Sequence, residues 1–222
     1  TAWPAADLVA VAAHAVREGV SQVEAHALRV QWTQWGHTKQ TVGELRGATW
    51  PALVDALETW RAESGPDKSS APGWAPARFD GARRANDACE AIYGLVLDCD
   101  DRGDWVRTLA ALDRASLAYV AHRSATHGVD DACKWRLILP MARPATDLDR
   151  WRENYTAARI AIGALGSCWF DPSCSNPSRL WYPPVHVAGT PRRDMVVGDG
   201  FALDLIALVD AIQGATRAPA VH

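Results

Sequence analysis

The stretch "GLVLDCDD", residues 94–101, decides how the rest of the sequence is interpreted. An apolar run of the kind that forms a sheet interior ends here in three aspartates within four positions, Asp98, Asp100 and Asp101. Burying an unpaired carboxylate is costly, or it forces the group to become neutral. These aspartates therefore either leave the sheet into water or meet a positive partner at its edge.

Because side chains alternate along a strand, neighbouring residues of this stretch lie on opposite faces of the sheet. Asp98 and Asp100 share one face and Cys99 points to the other. Two positions along a strand span roughly 6.6 Å, so both carboxylates can reach one hard cation or two neighbouring ones. Mg²⁺ and Mn²⁺ suit such oxygen ligands. The competing interpretation is that Asp100 and Asp101 only end a strand and begin a helix, because aspartate is a good turn and cap residue.

The pattern around this stretch predicts an α+β fold. We expect strands over residues 91–98, 117–123, 134–141 and 178–183 and helices over 104–115 and 147–165. This order predicts a small mixed β-sheet with helices packed on it.

The front of the chain has a different pattern. Apolar residues at spacings of three and four predict helices over 5–20 and 21–30, the second begun by a capping box of Ser21 and Glu24, and another over 51–62. The Gly-, Pro- and Ser-rich residues 64–77 predict a long loop. We therefore expect three parts: an N-terminal helical accessory segment (1–71), a main domain (72–200), and a C-terminal helix and tail (201–222).

Composition limits the classes of function. The 222 residues are 48% hydrophobic and 22% charged, with a net charge of −3, which is typical of a soluble globular protein. A nucleic-acid surface must then be a local patch. No membrane span or secretory signal is expected, and five cysteines without regular spacing favour a reducing cytoplasm. Because the first residue is Thr1 rather than methionine, we expect a processed or excised piece of a longer protein.

Polar side chains at the ends of the neighbouring strands predict an anion site. The loop after the second strand holds Ser124, Thr126 and His127, whose hydroxyls and imidazole can donate to phosphate oxygens. Lys134 and Arg136 share a face of the third strand. A buried strand tolerates arginine poorly unless the guanidinium meets an anion, and a triphosphate is a suitable one. The alternative is that Arg136 only forms a salt bridge with a structural carboxylate.

Two more groups complete the candidate site. Asp171, before Pro172, offers a third carboxylate at the mouth of the last strand, unless it only caps a turn, and Arg179 then enters that strand. The segment before the strand that ends in Asp98 mixes arginines with an aromatic residue. Such a mixture suits single-stranded nucleic acid, through phosphate contacts and base stacking. That segment contributes Arg78, Phe79, Arg83 and Arg84.

Together these segments resemble the archaeo-eukaryotic primase superfamily, especially the primase-polymerase domains of phage and plasmid replication proteins. That family carries an Asp-x-Asp motif at a strand end, a Ser/Thr-rich motif ending in histidine, and a later acidic residue. Here "LVLDCDD", "HRSATHG" and "WFDPS" are similar to the three motifs. The resemblance covers roughly residues 72–185 and implies an RRM-like primase core, with the main domain as the catalytic one.

The resemblance implies a DNA-directed nucleotidyltransferase, a primase or primer-extending polymerase with a two-metal mechanism. Asp98, Asp100 and Asp171 would be the catalytic residues that hold Mg²⁺ or Mn²⁺. The implied partners are a single-stranded DNA template, nucleoside triphosphates and a helicase domain or protein, without a membrane, in the cytoplasm of a bacterium or a phage-infected cell. The implied nucleotide-binding residues are Ser124, Thr126, His127, Lys134, Arg136 and Arg179.

Other functions remain open at this point. An Asp-x-Asp pair also serves metal-dependent nucleases and phosphohydrolases. A strand-nicking replication initiator would use a tyrosine such as Tyr155 or Tyr182. A catalytically inert domain that only binds nucleic acid or a helicase would keep these acidic residues for structure alone.

Overall fold

The computed structural model describes residues 5–37, 39–62, 64–65, 72–99, 103–124, 134–184, 186–187 and 194–217. Its helices in these residues are α1 (Ala5–Glu18), α2 (Trp50–Ala62), α3 (Trp105–Arg114), α4 (Trp151–Gly166) and α5 (Leu205–Arg217). Its strands in these residues are β1 (Val20–Glu24), β2 (Arg29–Trp35), β3 (Glu44–Thr49), β4 (Ser64–Gly65), β5 (Gly73–Ala75), β6 (Ala77–Phe79), β7 (Cys89–Cys99), β8 (Tyr119–Arg123), β9 (Trp135–Ala145), β10 (His186–Val187), β11 (Met195–Gly198) and β12 (Phe201–Leu203).

The main sheet is mixed and is built around β7 and β9, which confirms the predicted α+β class. These two strands pair antiparallel, and β6 continues the sheet beyond β7. On its other side β9 pairs antiparallel with β8 at its start and parallel with β12 near Met141. β11 then extends β8, and β1 extends β12. The predicted strand of "AIYGLVLD" forms because its apolar side chains are buried on both faces, as at Leu95, Val96 and Leu97.

The predicted helix over residues 21–30 is wrong. The segment forms β1, a short 3-10 turn and the start of β2, which pairs with β3 and β5 in a separate three-stranded sheet. β-branched and aromatic residues in "RVQWTQW" favour a strand, and burial alternates along its first four residues. Ser21 makes no capping box. Its hydroxyl accepts a hydrogen bond from the backbone N–H of Val23 at 3.1 Å.

Two other predictions need correction near the end of the chain. Residues 178–183 form no strand, and only Trp181 pairs there, in an isolated bridge with Trp74. Residues 201–203 are strand β12, and the helix predicted to include them begins at Leu205. Asp204 ends the strand and accepts a hydrogen bond from the N–H of Ala207 at 3.2 Å, which caps α5.

The N-terminal residues share the sheet and core of the rest of the chain. β1 is an outer strand of the main sheet, and α1 packs against α4 and α5. The helical description of residues 1–71 is therefore wrong for β1, β2 and β3, while the three-part division itself stays a prediction. None of the helices in the described residues combines the length and apolar character needed to cross a membrane.

A close helix contact holds α3 against the end of α4, and it gives a test of the packing. Asp104, which caps α3, donates its backbone N–H to the Gly166 carbonyl at 2.8 Å. A Cβ at Gly166 would overlap the Asp104 backbone oxygen and the Thr108 hydroxyl. We expect Gly166→Ala to lower the free energy of unfolding by about 1–3 kcal/mol in urea titrations followed by circular dichroism.

Gly214→Ala in α5 is the matched control, because among the described residues no heavy atom beyond the adjoining residues and the backbone of its own helix lies within 4 Å of the added Cβ. Alanine has the higher helix propensity, so this variant should be neutral or more stable by up to about 1 kcal/mol. Equal stabilities of the two variants would contradict the described contact between α3 and α4.

Candidate functional site

A row of three buried polar residues crosses the main sheet. Asp98, the penultimate residue of β7, lies opposite Arg136 of β9, and Arg136 lies opposite His122 of β8. Directly opposed residues in antiparallel strands project to the same face with Cβ atoms about 4.5–5.5 Å apart. All three are buried. The strand register thus places the first predicted metal ligand beside a predicted phosphate-binding arginine.

Arg136 is the positive partner that Asp98 meets at the end of its strand. Its Nη2 atom lies 3.0 Å from both carboxylate oxygens of Asp98, and its Nη1 atom donates to the Tyr182 carbonyl at 2.5 Å. Its guanidinium also stacks over the Trp181 ring, 4.9 Å from the centroid. Arg136 is therefore fixed by an ion pair, a carbonyl and an aromatic face.

The segment of Asp171 lies directly beside the end of β7. Phe170 forms an antiparallel bridge with Cys99, and the backbone N–H of Asp171 donates to the Asp98 carbonyl at 2.8 Å. Phe170 therefore projects to the Cys99 face, and alternation places Asp171 on the Asp98 face. The structure thus places two aspartates that are far apart in the sequence at neighbouring backbone positions.

Local hydrogen bonds fix the Asp171 carboxylate. Asp171 precedes a short 3-10 helix and accepts from the Ser173 N–H at 2.8 Å, from the Ser173 hydroxyl at 2.6 Å and from the Cys174 thiol at 3.5 Å. Partial burial alone would raise the pKa of Asp171. The hydrogen bonds and the nearby Arg179 charge outweigh that effect and lower the pKa below its usual value. The carboxylate is therefore ionised at neutral pH.

A cleft of about 370 Å³ opens above Asp98, and we call it the arginine cleft. Among the described residues, three guanidinium groups and one carboxylate line this cleft, so these residues give it an excess of positive charge. Arg179 stacks on the same Trp181 ring as Arg136, 5.7 Å from the centroid. The described residues that line the arginine cleft are Arg84, Asp98, Arg136, Arg179, Leu180, Trp181 and Tyr182.

Arg84 lines this cleft, whereas the sequence predicts it in a nucleic-acid-binding segment together with Arg78, Phe79 and Arg83. Those other three residues are not among the described residues of the cleft. Arg78 pairs with Glu90 at 2.6 Å, and Arg83 pairs with Asp87 at 3.0 Å, both on the surface.

The stacking role predicted for Phe79 is wrong. Phe79 is only 3% exposed and packs edge-on against Trp35, with ring centroids 5.7 Å apart. Its position at the end of β6 turns the ring into the core, where no base can reach it.

Two of the remaining predicted phosphate contacts, Ser124 and Lys134, lie next to the row of Asp98, Arg136 and His122. The others fall outside the described residues. Ser124 donates its backbone N–H to the Lys134 carbonyl at 3.0 Å, which continues the β8–β9 pairing past His122 and Arg136. Ser124 is buried and Lys134 is half-buried. Asp100, Thr126 and His127 lie outside the described residues, so their roles stay predictions.

Sequence reasoning missed three residues that form this site. His122 lies in the Asp98–Arg136 row, and Trp181 and Tyr182 hold Arg136 from above. The sequence "LAYVAHR" predicts a strand, and the alternation of side chains along it assigns His122 to one face. It does not identify the strand that pairs with this one, so Arg136 could not be predicted as the neighbour of His122. Tyr155, one tyrosine suggested for a nicking initiator, is buried and donates to the Val96 carbonyl at 3.3 Å. Burial raises its pKa, which makes it a poor nucleophile.

Among the comparisons with known proteins, only the comparison with solved structures found similar proteins. No family model and no curated protein matches the sequence. The primase-polymerase (PrimPol) AEP domain of cyanophage S-2L is 13% identical, with a TM-score of 0.45 over 94% of this chain and 100% of that domain. Primase RepB′ is 12% identical, with a TM-score of 0.39 over 96% of this chain and 63% of its own. Identities and TM-scores this low assign no activity to the chain.

The donor set of the site can be compared with the needs of a divalent cation. Among the described residues, no group of three or more His, Cys, Asp or Glu side chains is arranged to hold a metal ion. Asp98 and Asp171 nevertheless supply carboxylate oxygens from neighbouring backbone positions, the ligand type that Mg²⁺ and Mn²⁺ prefer. One nitrogen of Arg136 contacts both Asp98 oxygens, which leaves further lone pairs on each. The described residues therefore supply ligand atoms of the right type for such a cation. Arg136 competes with the cation for the Asp98 carboxylate.

Proposed function

We propose that this chain is a metal-dependent nucleotidyltransferase that makes or extends a strand on a single-stranded DNA template. The reaction is that of a primase or a primer-extending polymerase, of the type found in phage and plasmid replication proteins. One observation carries the proposal: the backbone of Asp171 is hydrogen-bonded to that of Asp98 at the end of β7, and Asp98 lines the arginine cleft.

The charge pattern of this edge suits a nucleoside triphosphate. Phosphoryl chemistry depends on positioning and on neutralising developing charge, which fixed guanidinium groups and bound cations can both do. Arg136 and Arg179 are held by the Trp181 ring and Arg84 lies over the Trp35 ring, 6.0 Å from its centroid. Their positive charges therefore need little reorganisation when the substrate binds.

The roles follow from this arrangement. Asp98 and Asp171 would hold the metal, with Asp100 as a further proposed ligand. Mg²⁺ or Mn²⁺, when bound, lowers the pKa of a 3′ hydroxyl and stabilises leaving pyrophosphate. The arginine cleft orients the triphosphate and neutralises its charge. Ser124, Thr126, His127 and Lys134 are proposed as further phosphate contacts, and a helicase domain or protein as a partner.

The test is template-directed incorporation by the purified protein. We expect labelled nucleotides to be incorporated on a single-stranded template with Mg²⁺ or Mn²⁺, with and without an annealed end-labelled primer, and to stop when the metal is chelated. Absence of incorporation with either metal, with ribonucleotides and with deoxynucleotides would overturn the proposal. Metal-dependent shortening of the labelled primer would instead support a nuclease.

A further inference from the structure

Trp169 is the exposed exception among the tryptophans of this chain. Ten of the eleven tryptophans lie in the described residues; nine of these are buried or half-buried, whereas Trp169 is 53% exposed. A tryptophan side chain can bury some 150–250 Å² of surface, so leaving it in water forgoes a large hydrophobic gain. Over the described residues, its indole forms no hydrogen bond and no aromatic or cation–π contact.

The backbone that carries Trp169 is firmly held. Phe170 is fully buried beside Trp105, and its carbonyl accepts from Arg159 Nη1 at 2.9 Å. On the other side, Cys168 donates its N–H to the Gly163 carbonyl at 2.8 Å. The exposed ring therefore projects from ordered chain, which makes it a preorganised contact surface.

The position of this ring relates it to the candidate site. Cys168 and Phe170 are buried, while Trp169 and Asp171 are the more exposed members of the segment. This alternation places Trp169 on the same side of the chain as Asp171, whose backbone is bonded to Asp98. Two positions of extended chain span roughly 6.6 Å, about the reach between a phosphate and the base attached to the same nucleotide.

We propose that Trp169 is a stacking platform for a base of single-stranded nucleic acid bound at the candidate site. This inference rests on the proposed function for the identity of its ligand. A base offers a flat apolar face to the indole, and aromatic stacking tolerates any base sequence. The Arg159 guanidinium beside Phe170 supplies positive charge for the adjoining phosphate.

The strand, rather than the incoming nucleotide, is the occupant that the geometry favours. The arginine cleft suits the triphosphate, and Trp169 is not among its lining residues. Asp171, two residues beyond Trp169, is hydrogen-bonded through its backbone to Asp98. A base on Trp169 would therefore lie outside the cleft and belong to the nucleic acid strand that reaches these aspartates.

The experiment measures binding of a fluorescein-labelled oligothymidylate by anisotropy in EDTA, which removes any dependence on catalysis. We expect Trp169→Ala to raise the Kd roughly fivefold or more, since one stacked base contributes at least about 1 kcal/mol, while Trp169→Phe keeps most of the affinity. Ile206→Ala, which shortens a side chain that is 49% exposed on α5, is the matched control and should bind like wild type. Circular dichroism checks that every variant is folded.

The outcomes separate this inference from the proposed function. Weaker binding by Trp169→Ala, rescued by Trp169→Phe, supports the platform even if no primer is extended. Primer extension by wild type together with unchanged binding by Trp169→Ala overturns the platform and leaves the proposed function standing. Equal losses in the alanine and phenylalanine variants, no binding by wild type, or a change only in self-association, seen by sedimentation, also overturn it.

Discussion

Replacing Arg136 with methionine is expected to lower the free energy of unfolding by about 3–5 kcal/mol, because it leaves the buried Asp98 carboxylate without its partner. The pair is almost wholly buried, with side-chain exposures of 6% for Arg136 and 10% for Asp98. The substitution also removes the hydrogen bond to the Tyr182 carbonyl. Urea unfolding at neutral pH, followed by circular dichroism, measures the effect.

The same strand supplies a matched control. Arg143 of β9 pairs with Asp204 at 2.8 Å, but its side chain is 71% exposed. Arg143→Met should therefore cost less than about 1 kcal/mol. Arg136→Met combined with Asp98→Leu should recover much of the loss, since an apolar pair can replace a buried ion pair with little penalty. If Arg136→Met costs no more than Arg143→Met, the buried pair is contradicted.

Asp98→Asn and Asp171→Asn are each expected to slow template-directed incorporation by about 10²–10³-fold, the range found when one charge-stabilising group is removed. Asparagine keeps the size of the side chain but cannot supply the negative charge that a divalent cation needs. At position 171 it also keeps the ability to cap the short 3-10 helix, so that variant should stay folded. Single-turnover incorporation at saturating Mn²⁺ measures the effect.

Asp147→Asn serves as the control for both variants. Asp147 lies before α4, accepts from the Arg150 N–H at 3.3 Å and does not line the arginine cleft. Its incorporation rate should equal that of wild type. Wild-type rates in both Asp98→Asn and Asp171→Asn would leave these carboxylates with a structural role only, as in an inert nucleic-acid-binding domain.

Local sequence patterns were sufficient for several elements of the main sheet. The apolar run of β7, the strands β8 and β9 and the helices α2 and α3 form close to where the spacing predicts them. The spacing failed over residues 21–30 because a short apolar pattern suits either a helix or a strand, and pairing with β3 and β5 decides between them.

The candidate site needed tertiary information that no local pattern contains. Asp98 and Arg136 were selected from the sequence for separate roles, but their direct opposition depends on the register between β7 and β9. Phe79 was expected at the surface because of its arginine neighbours. Its burial depends on Trp35, from a distant segment.

Asp98 and Asp171 are proposed to bind a divalent cation together, beside a bound triphosphate. Anomalous diffraction from crystals grown with Mn²⁺ and a non-hydrolysable nucleoside triphosphate tests this proposal most directly. We expect a manganese peak within ligand distance of both carboxylates, with the phosphates along Arg84, Arg136 and Arg179. A nucleotide bound elsewhere, with Asp98 engaged by Arg136 alone and no manganese near either carboxylate, would contradict it.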